Sequence, residues 1–182
     1  MKNVLVTGAK GFLGSNVVKN LEKKGYNTYG IGHGVISPQK CREMGLKYWK
    51  ESSVNIKSIL DFNQTFDVIV HCAGNGSVGF SMDNPYEDFK KTSQSSIEVL
   101  EYMRLYNPGA HLIFSSSPAV QGECEDIPIK ENYIGKPVSP YGYHKKIVEA
   151  LCQSYNENFN LRISIIRFFS IYGNGLKKQL LW

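Results

Sequence analysis

The chain has 182 residues, 42% of them hydrophobic and 20% charged, with a formal net charge of +5. That length suits one domain whose core needs no disulfide or metal staple. The positive charge is spread out (Lys19, Lys23 and Lys24, then Lys177 and Lys178) and forms no dense run interleaved with aromatics, which argues against nucleic-acid binding.

Cys41, Cys72, Cys124 and Cys152 form no C-x-x-C pair and no zinc-type spacing with histidine, so reduced thiols are expected and no metal site. The apolar run in "KNVLVTG" is too short for a signal peptide, and no stretch reaches the roughly 18 apolar residues of a membrane span. A cytoplasmic protein without a membrane partner is the expectation.

In chain order, "NVLVTG" predicts a buried strand and "GFLGSNVVKNLEKKG" a helix ended by Gly25. "NTYGIG" is a second strand, "LKYW" a third and "IKSILDF" a short helix. "FDVIVHCAG" is a strongly apolar strand, and after Pro85 a long helix runs to about Tyr106, stopped by "NPG". "AHLIFSSS" is the next strand, followed by a polar loop to Pro140. A helix carrying Tyr141 and Lys145 then reaches about Asn158, and "LRISIIRFF" closes the series. This alternation predicts an α/β, Rossmann-like, doubly wound parallel sheet with helices on both faces.

Gly8, Gly11 and Gly14 recur at three-residue intervals in "TGAKGFLG", between the first strand and its helix. A tight turn there aims backbone N–H groups and the positive helix end at a pyrophosphate, with Phe12 and Leu13 supplying amides. Glycines also serve ordinary turns; position between strand and helix favours dinucleotide binding.

In "SPYGYHKK", Tyr141 and Lys145 share one helix face. Ser117 ends a strand, where a parallel sheet opens its ligand crevice. A phenol ionises near pH 10. An adjacent ammonium and an oxidised nicotinamide would bring it closer to neutrality. Tyr141 would then take a proton from a substrate hydroxyl while Ser117 holds that oxygen. Tyr-x-x-x-Lys pairs also arise by chance; the glycine turn and the strand-end serine are what favour chemistry.

"VTGAKGFLG", "DVIVHCAG", "SMDNP", "FSSSPAVQG", "SPYGYHK" and "IIRFFSIYGNG" stand in one order over nearly the whole chain. In these the sequence resembles the N-terminal portion of an extended short-chain dehydrogenase/reductase of the NAD-dependent epimerase/dehydratase family, and is most similar to its UDP-glucose 4-epimerase-like members. The resemblance implies a catalytic triad of Ser117, Tyr141 and Lys145, with Tyr141 and Lys145 also contacting the cofactor, Lys145 on the nicotinamide ribose. It implies that Cys72, Ala73 and Gly74 line the cofactor, that Val54 lies near the adenine, and that Phe169 lies near the nicotinamide. It further implies a nucleotide-sugar substrate and a homodimer. Members usually continue into a small substrate domain, so the 182 residues are expected to be one NAD(P)-binding domain of a longer enzyme, the substrate domain largely absent.

Several positions depart from that pattern. The acid that grips the adenosine ribose gives way to Gly32 and His33, with Lys40 and Arg42 downstream, so NAD and NADP both stay open. Ser53, Thr92 and Ser170 replace an acid and two asparagines, which leaves the sugar and nucleotide open. Pro118 and Ala119 stand where dehydratases carry an Asp-Glu pair, which disfavours water loss. An NAD(P)-dependent epimerase ranks first, an NADPH-dependent 4-keto sugar reductase second, and a non-catalytic dinucleotide sensor third. His71 and His111 read as structural and His144 as solvent-facing; Tyr86, Phe89 and Tyr106 read as core or subunit contact.

Overall fold

The computed structural model describes residues 1–124, 127–133, 135–173 and 175–176. Asn174 of "IYGNG" and the closing "KKQLLW" lie outside the described residues. β1 (Asn3–Thr7) is apolar on both faces, because side chains alternate along a strand. Val4 and Val6 pack with Ala9, Val18 and Leu46 on the side of α1 (Phe12–Lys23). Leu5 points the other way, into a larger cluster holding Ile31, Ile69, Val99, Tyr102, Met103, Leu112 and Phe114. A strand with two apolar faces is stable only when both are covered.

β2 (Asn27–Gly32), α2 (Pro38–Glu43), β3 (Tyr48–Glu51) and α3 (Ile56–Leu60) complete the first half. β4 (Val68–His71), α4 (Val78–Asp83), α5 (Pro85–Phe89), α6 (Ser95–Tyr106), β5 (His111–Ser116), α7 (Pro140–Phe159) and β6 (Arg162–Arg167) follow. The sheet order is β3-β2-β1-β4-β5-β6, and every pairing is parallel. The order reverses beside β1, which has β2 on one side and β4 on the other, so successive crossovers diverge there. In doubly wound sheets ligands bind outside the C-terminal strand ends beside such a reversal.

All six predicted strands and the main helices are present. Two short helices were missed, each within an expected loop. Ser37 caps α2 by accepting from the Lys40 N–H at 3.1 Å, with Pro38 in the first turn, and Ser77 caps α4 by accepting from the Phe80 N–H at 3.2 Å. The caps are legible, but six residues are too few to show an apolar period.

The long helix expected after Pro85 is broken by a π-helical turn at Lys90–Gln94. Side-chain hydroxyls occupy carbonyls at this turn: Ser95 Oγ donates to Lys91 O at 2.6 Å and Ser96 Oγ to Thr92 O at 2.6 Å. The stripe on this helix is surface rather than core, since Tyr86 is 71% exposed and Tyr106 50%. Among the described residues, no helix is long and apolar enough to cross a membrane.

Candidate active site

The turn after β1 is locked to the sheet. Gly8 has φ of 66°, and its N–H donates to Ile31 O at 2.8 Å. A Cβ there would come within 2.9 Å of the Cys72 carbonyl and the Ala73 nitrogen, so only glycine lets this turn lie against the end of β4. Gly11 is the N-cap of α1 and brings no side-chain acceptor to the first-turn N–H groups, those of Phe12 and Leu13 included. Such groups have no acceptor within the helix and lie at its positive end. Gly14 faces back onto the turn, where a Cβ would strike the Gly8 carbonyl. A bare helix N-terminus approached by glycines fits the anionic pyrophosphate of a dinucleotide. Beside it, Phe12, Leu13, Asn16, Ile171, Tyr172 and Gly173 line a shallow depression of about 230 Å³.

β4 reaches this turn through a buried relay. Thr7 Oγ1 accepts from the Ala73 N–H at 3.1 Å and meets His71 Nδ1 at 2.7 Å. His71 Nε2 meets Ser96 Oγ at 3.0 Å, whose own proton goes to Thr92 O at 2.6 Å. With those hydroxyl protons committed, His71 is neutral with its proton on Nε2. Burial, reinforced by the Lys145 charge, holds it near pKa 3, in keeping with a structural role. Cys72 follows, its thiol pushed up to about 12 by burial although Lys145 lies near. Gly74 adopts φ of 137° as the chain turns toward α4.

Ser117 follows β5 and opens a 3-10 turn, where its Oγ accepts from the Ala119 N–H at 3.2 Å. α7 starts beside it. Ser139 caps the helix onto the Gly142 N–H at 3.2 Å, Pro140 sits in the first turn, and Tyr141 N–H donates to Ser81 Oγ of α4 at 3.1 Å. A Cβ at Gly142 would come within 2.5 Å of Ala119 O, so this glycine lets α7 approach the Ser117 turn. The Ser117 hydroxyl lies near enough to the Tyr141 phenol to favour its ionised form. One helical turn on, Lys145 is only 4% exposed and donates to Ser115 O at 2.7 Å, with its Nζ 6.0 Å from the Tyr141 ring centre. Ser117, Tyr141 and Lys145 therefore converge at the crevice, as expected from the sequence.

Their electrostatics differ from expectation. Burial pushes the Tyr141 phenol up and Asp88 adds to this, while the nearby Ser117 hydroxyl opposes it. The Lys145 ammonium donates to the Ser115 carbonyl and is itself lowered to about 8 by burial. In the chain by itself the phenol is a weaker acid than free tyrosine.

His144 is a second correction. Instead of facing solvent it meets the fully buried Asp88 of α5, Nδ1 to Oδ2 at 2.5 Å, and its side chain is 13% exposed. Asp88 Oδ1 also accepts from Asn75 Nδ2 at 2.7 Å, and Asn75 Oδ1 accepts from the Ser77 N–H at 3.0 Å. Asp88 thus ties the loop after β4 to the helix carrying Tyr141. Sequence reasoning missed Asp88, Asn75 and Ser81; an acid four residues into an aromatic helix carries no signal of burial.

The remaining candidates are scattered. Val54 packs against the core beyond β3. His33 is exposed just past the end of β2, Arg42 is exposed in the last turn of α2, and Lys40 pairs with Glu43 at 3.3 Å. Phe169 lies beyond β6 and is 60% exposed. Thr92 Oγ1 accepts from the Asn75 N–H at 3.4 Å.

The profile of the NAD dependent epimerase/dehydratase family matches residues 4–180. The chain is similar to a putative UDP-glucose 4-epimerase of Methanocaldococcus jannaschii, at 30% identity over 93% of this chain and 56% of that protein. Among solved structures it is similar to UDP-glucose 4-epimerase of Thermotoga maritima with UDP-glucose, at 28% identity and a TM-score of 0.83, covering 94% of this chain and 56% of that one. It is also similar to UDP-glucuronic acid 4-epimerase of Bacillus cereus in complex with UDP-glucuronic acid and NAD, at 28% identity and a TM-score of 0.80, covering 94% and 57%. The chain spans about half the length of these relatives.

Proposed function

Because the chain belongs to the NAD-dependent epimerase/dehydratase family, we propose that it forms the dinucleotide-binding part of an enzyme that epimerises a nucleotide-linked sugar by transient oxidation at a ring hydroxyl. The observation that carries this reading is the placing of the Ser117 turn beside the start of the Tyr141 helix, with Lys145 buried one turn along that helix and the glycine turn at the same sheet edge. The relatives named in complex with UDP-sugars support the substrate class.

In this reading the bound dinucleotide supplies a hydride acceptor and, when oxidised, a positive charge. Gly8, Gly11 and Gly14 admit its pyrophosphate to the first-turn amides of Phe12 and Leu13, Ala73 and Gly74 flank it, and Lys145 holds its ribose. Tyr141 accepts the proton of the sugar hydroxyl and later returns it, and Ser117 holds that oxygen by hydrogen bonding. The raised phenol gives this a condition: Tyr141 stays protonated until a cation arrives beside it, so proton transfer is confined to the loaded, oxidised site. Asp88 and His144 keep the Tyr141 turn in place from behind. Exposed Tyr86 on α5, with Tyr143 and Ile147 on α7, suits cover by a second copy in a homodimer.

The test uses the complete protein. Tyr141→Phe should lower epimerisation of a UDP-hexose by at least about a hundredfold while dinucleotide titration stays unchanged. Wild-type turnover in the variant would sink the proposal. A 4-keto sugar reductase is the second reading, favoured by the missing ribose carboxylate at the end of β2. It would consume one equivalent of reduced cofactor per turnover, whereas an epimerase consumes none.

A further inference from the structure

We propose that Asp88 is a positioning residue for the reaction, one buried carboxylate that fastens the start of α7, and with it Tyr141, to the loop after β4. The inference rests on the reading above, in which Tyr141 exchanges the proton, and adds the group that decides where that phenol stands and how readily it ionises.

Asp88 is 0% exposed, and among the described residues it is the one acid that is buried. A carboxylate taken out of water is costly unless its oxygens are satisfied. Both are. Oδ1 accepts from Asn75 Nδ2 at 2.7 Å, and Oδ2 meets His144 Nδ1 at 2.5 Å. An ionised carboxylate only accepts, so the His144 proton sits on Nδ1. Asn75 is braced in turn, its Nδ2 donating to Ser77 O at 2.7 Å and its Oδ1 accepting from the Ser77 N–H at 3.0 Å. It follows Gly74 directly, in the segment that flanks the dinucleotide in the reading above.

His144 stands three residues after Tyr141 and one before Lys145, within one turn of α7. Its carbonyl accepts from Ser93 Oγ of the π-helical turn at 3.4 Å, and the Phe89 ring meets its imidazole edge-on at 5.6 Å. Side chain, ring and backbone are all held, and the grip passes along a single helical turn to the phenol.

The carboxylate also reaches Tyr141 by charge. Burial raises the phenol and Asp88 adds to this, and the same charge favours the Lys145 ammonium that burial lowers to about 8. No neighbouring element supplies an equivalent charge. On β4, burial keeps His71 near pKa 3 and pushes the Cys72 thiol up to about 12, so both are neutral. Ser81 and Ser117 bring hydroxyls. Glu149, further along α7, pairs with Arg167 at 2.7 Å, Glu87 pairs with Lys90, and Asp83 and Lys91 are exposed.

Substitutions separate charge from grip. Asp88→Asn removes the charge and keeps the shape, since an amide can accept from Asn75 and, with the imidazole in its other tautomer, donate to His144. His144→Ala keeps the charge and removes the grip, and His144→Asn returns an N–H near the Nδ1 position. The first measurement is an NMR titration of the NAD-saturated chain, isotope-labelled at the tyrosine ζ carbon, with the Tyr141 signal identified by its loss in Tyr141→Phe. The phenol should ionise at lower pH in Asp88→Asn than in wild type. The second is steady-state epimerisation of UDP-glucose by the complete protein. His144→Ala should lower kcat about tenfold or more with KM within about twofold, and His144→Asn should recover most of that loss.

A phenol that titrates in Asp88→Asn at or above the wild-type pH would overturn the inference. So would equal kcat values in His144→Ala and His144→Asn, because a general packing loss is not repaired by one returned N–H. Should Asp88→Asn not fold, the two His144 variants decide alone. Either failure leaves the proton-transfer reading intact so long as Tyr141→Phe is inactive; an active Tyr141→Phe would overturn that reading and this inference with it.

Discussion

Lys145 is a test of how function and stability oppose each other in this fold. Its ammonium is 4% exposed, and burial lowers its pKa from 10.5 to about 8. At neutral pH the group is charged in both the folded and the unfolded chain, so the fold carries the cost of burying it. At about 1.4 kcal/mol per pKa unit that cost is about 3 kcal/mol. Against it stands the hydrogen bond to Ser115 O at 2.7 Å, whose loss would leave a carbonyl short of a partner at about 1–2 kcal/mol.

Lys145→Met keeps the unbranched stem and removes the charge. The ligand-free chain should gain about 1–2 kcal/mol at pH 7, and the complete enzyme should lose activity.

The pH dependence supplies an internal control. Stability limited by a depressed lysine is fully restored above the unfolded pKa and lost as pH falls through the folded value. The wild-type deficit should therefore shrink between about 8 and 10.5, and above that window the wild type should be the more stable of the two, by the hydrogen bond it retains. Urea denaturation of both proteins at pH 7, 9 and about 10.5 reads this directly. A variant less stable than wild type by 1 kcal/mol or more at pH 7 would refute the argument. A stability difference that does not change with pH would do the same.

Gly14→Ala sets helix propensity against packing. Alanine should stabilise a helical site by about 1 kcal/mol, yet its Cβ would strike the Gly8 carbonyl and come within 2.9 Å of Ala9 Cα. Both obstacles are backbone and cannot rotate away. A net loss of about 1–3 kcal/mol is expected by thermal denaturation, whereas Gly109→Ala, which enters open space, should stay within about 0.5 kcal/mol. Asp88→Ala strips the buried partner from His144 and from Asn75. It should cost about 2–4 kcal/mol in urea denaturation, and an unchanged midpoint would show that the two contacts contribute nothing net.

The parts of the site legible in sequence were those whose chemistry is local. The glycine triplet announces itself because a turn forbids side chains within a few residues, and the Tyr141–Lys145 spacing does so because a helix face is a local property. His144 failed for the same reason in reverse. Flanked by Tyr143 and Lys145, it reads as an exposed polar residue, and it is drawn inward by Asp88, which is 56 positions away. The π-helical turn at Lys90–Gln94 was equally invisible, since it depends on hydroxyls meeting carbonyls after the helix is packed.

The amino-acid order by itself determined the strand–helix alternation, the glycine turn and the Tyr141–Lys145 helix face, because each follows from periodicity or spacing within one element. Only the folded chain decided how those groups are charged. Proton affinity depends on what surrounds a group from every side. Burial and the Asp88 carboxylate, far off in sequence, push the Tyr141 phenol up, and burial lowers the Lys145 ammonium beside it.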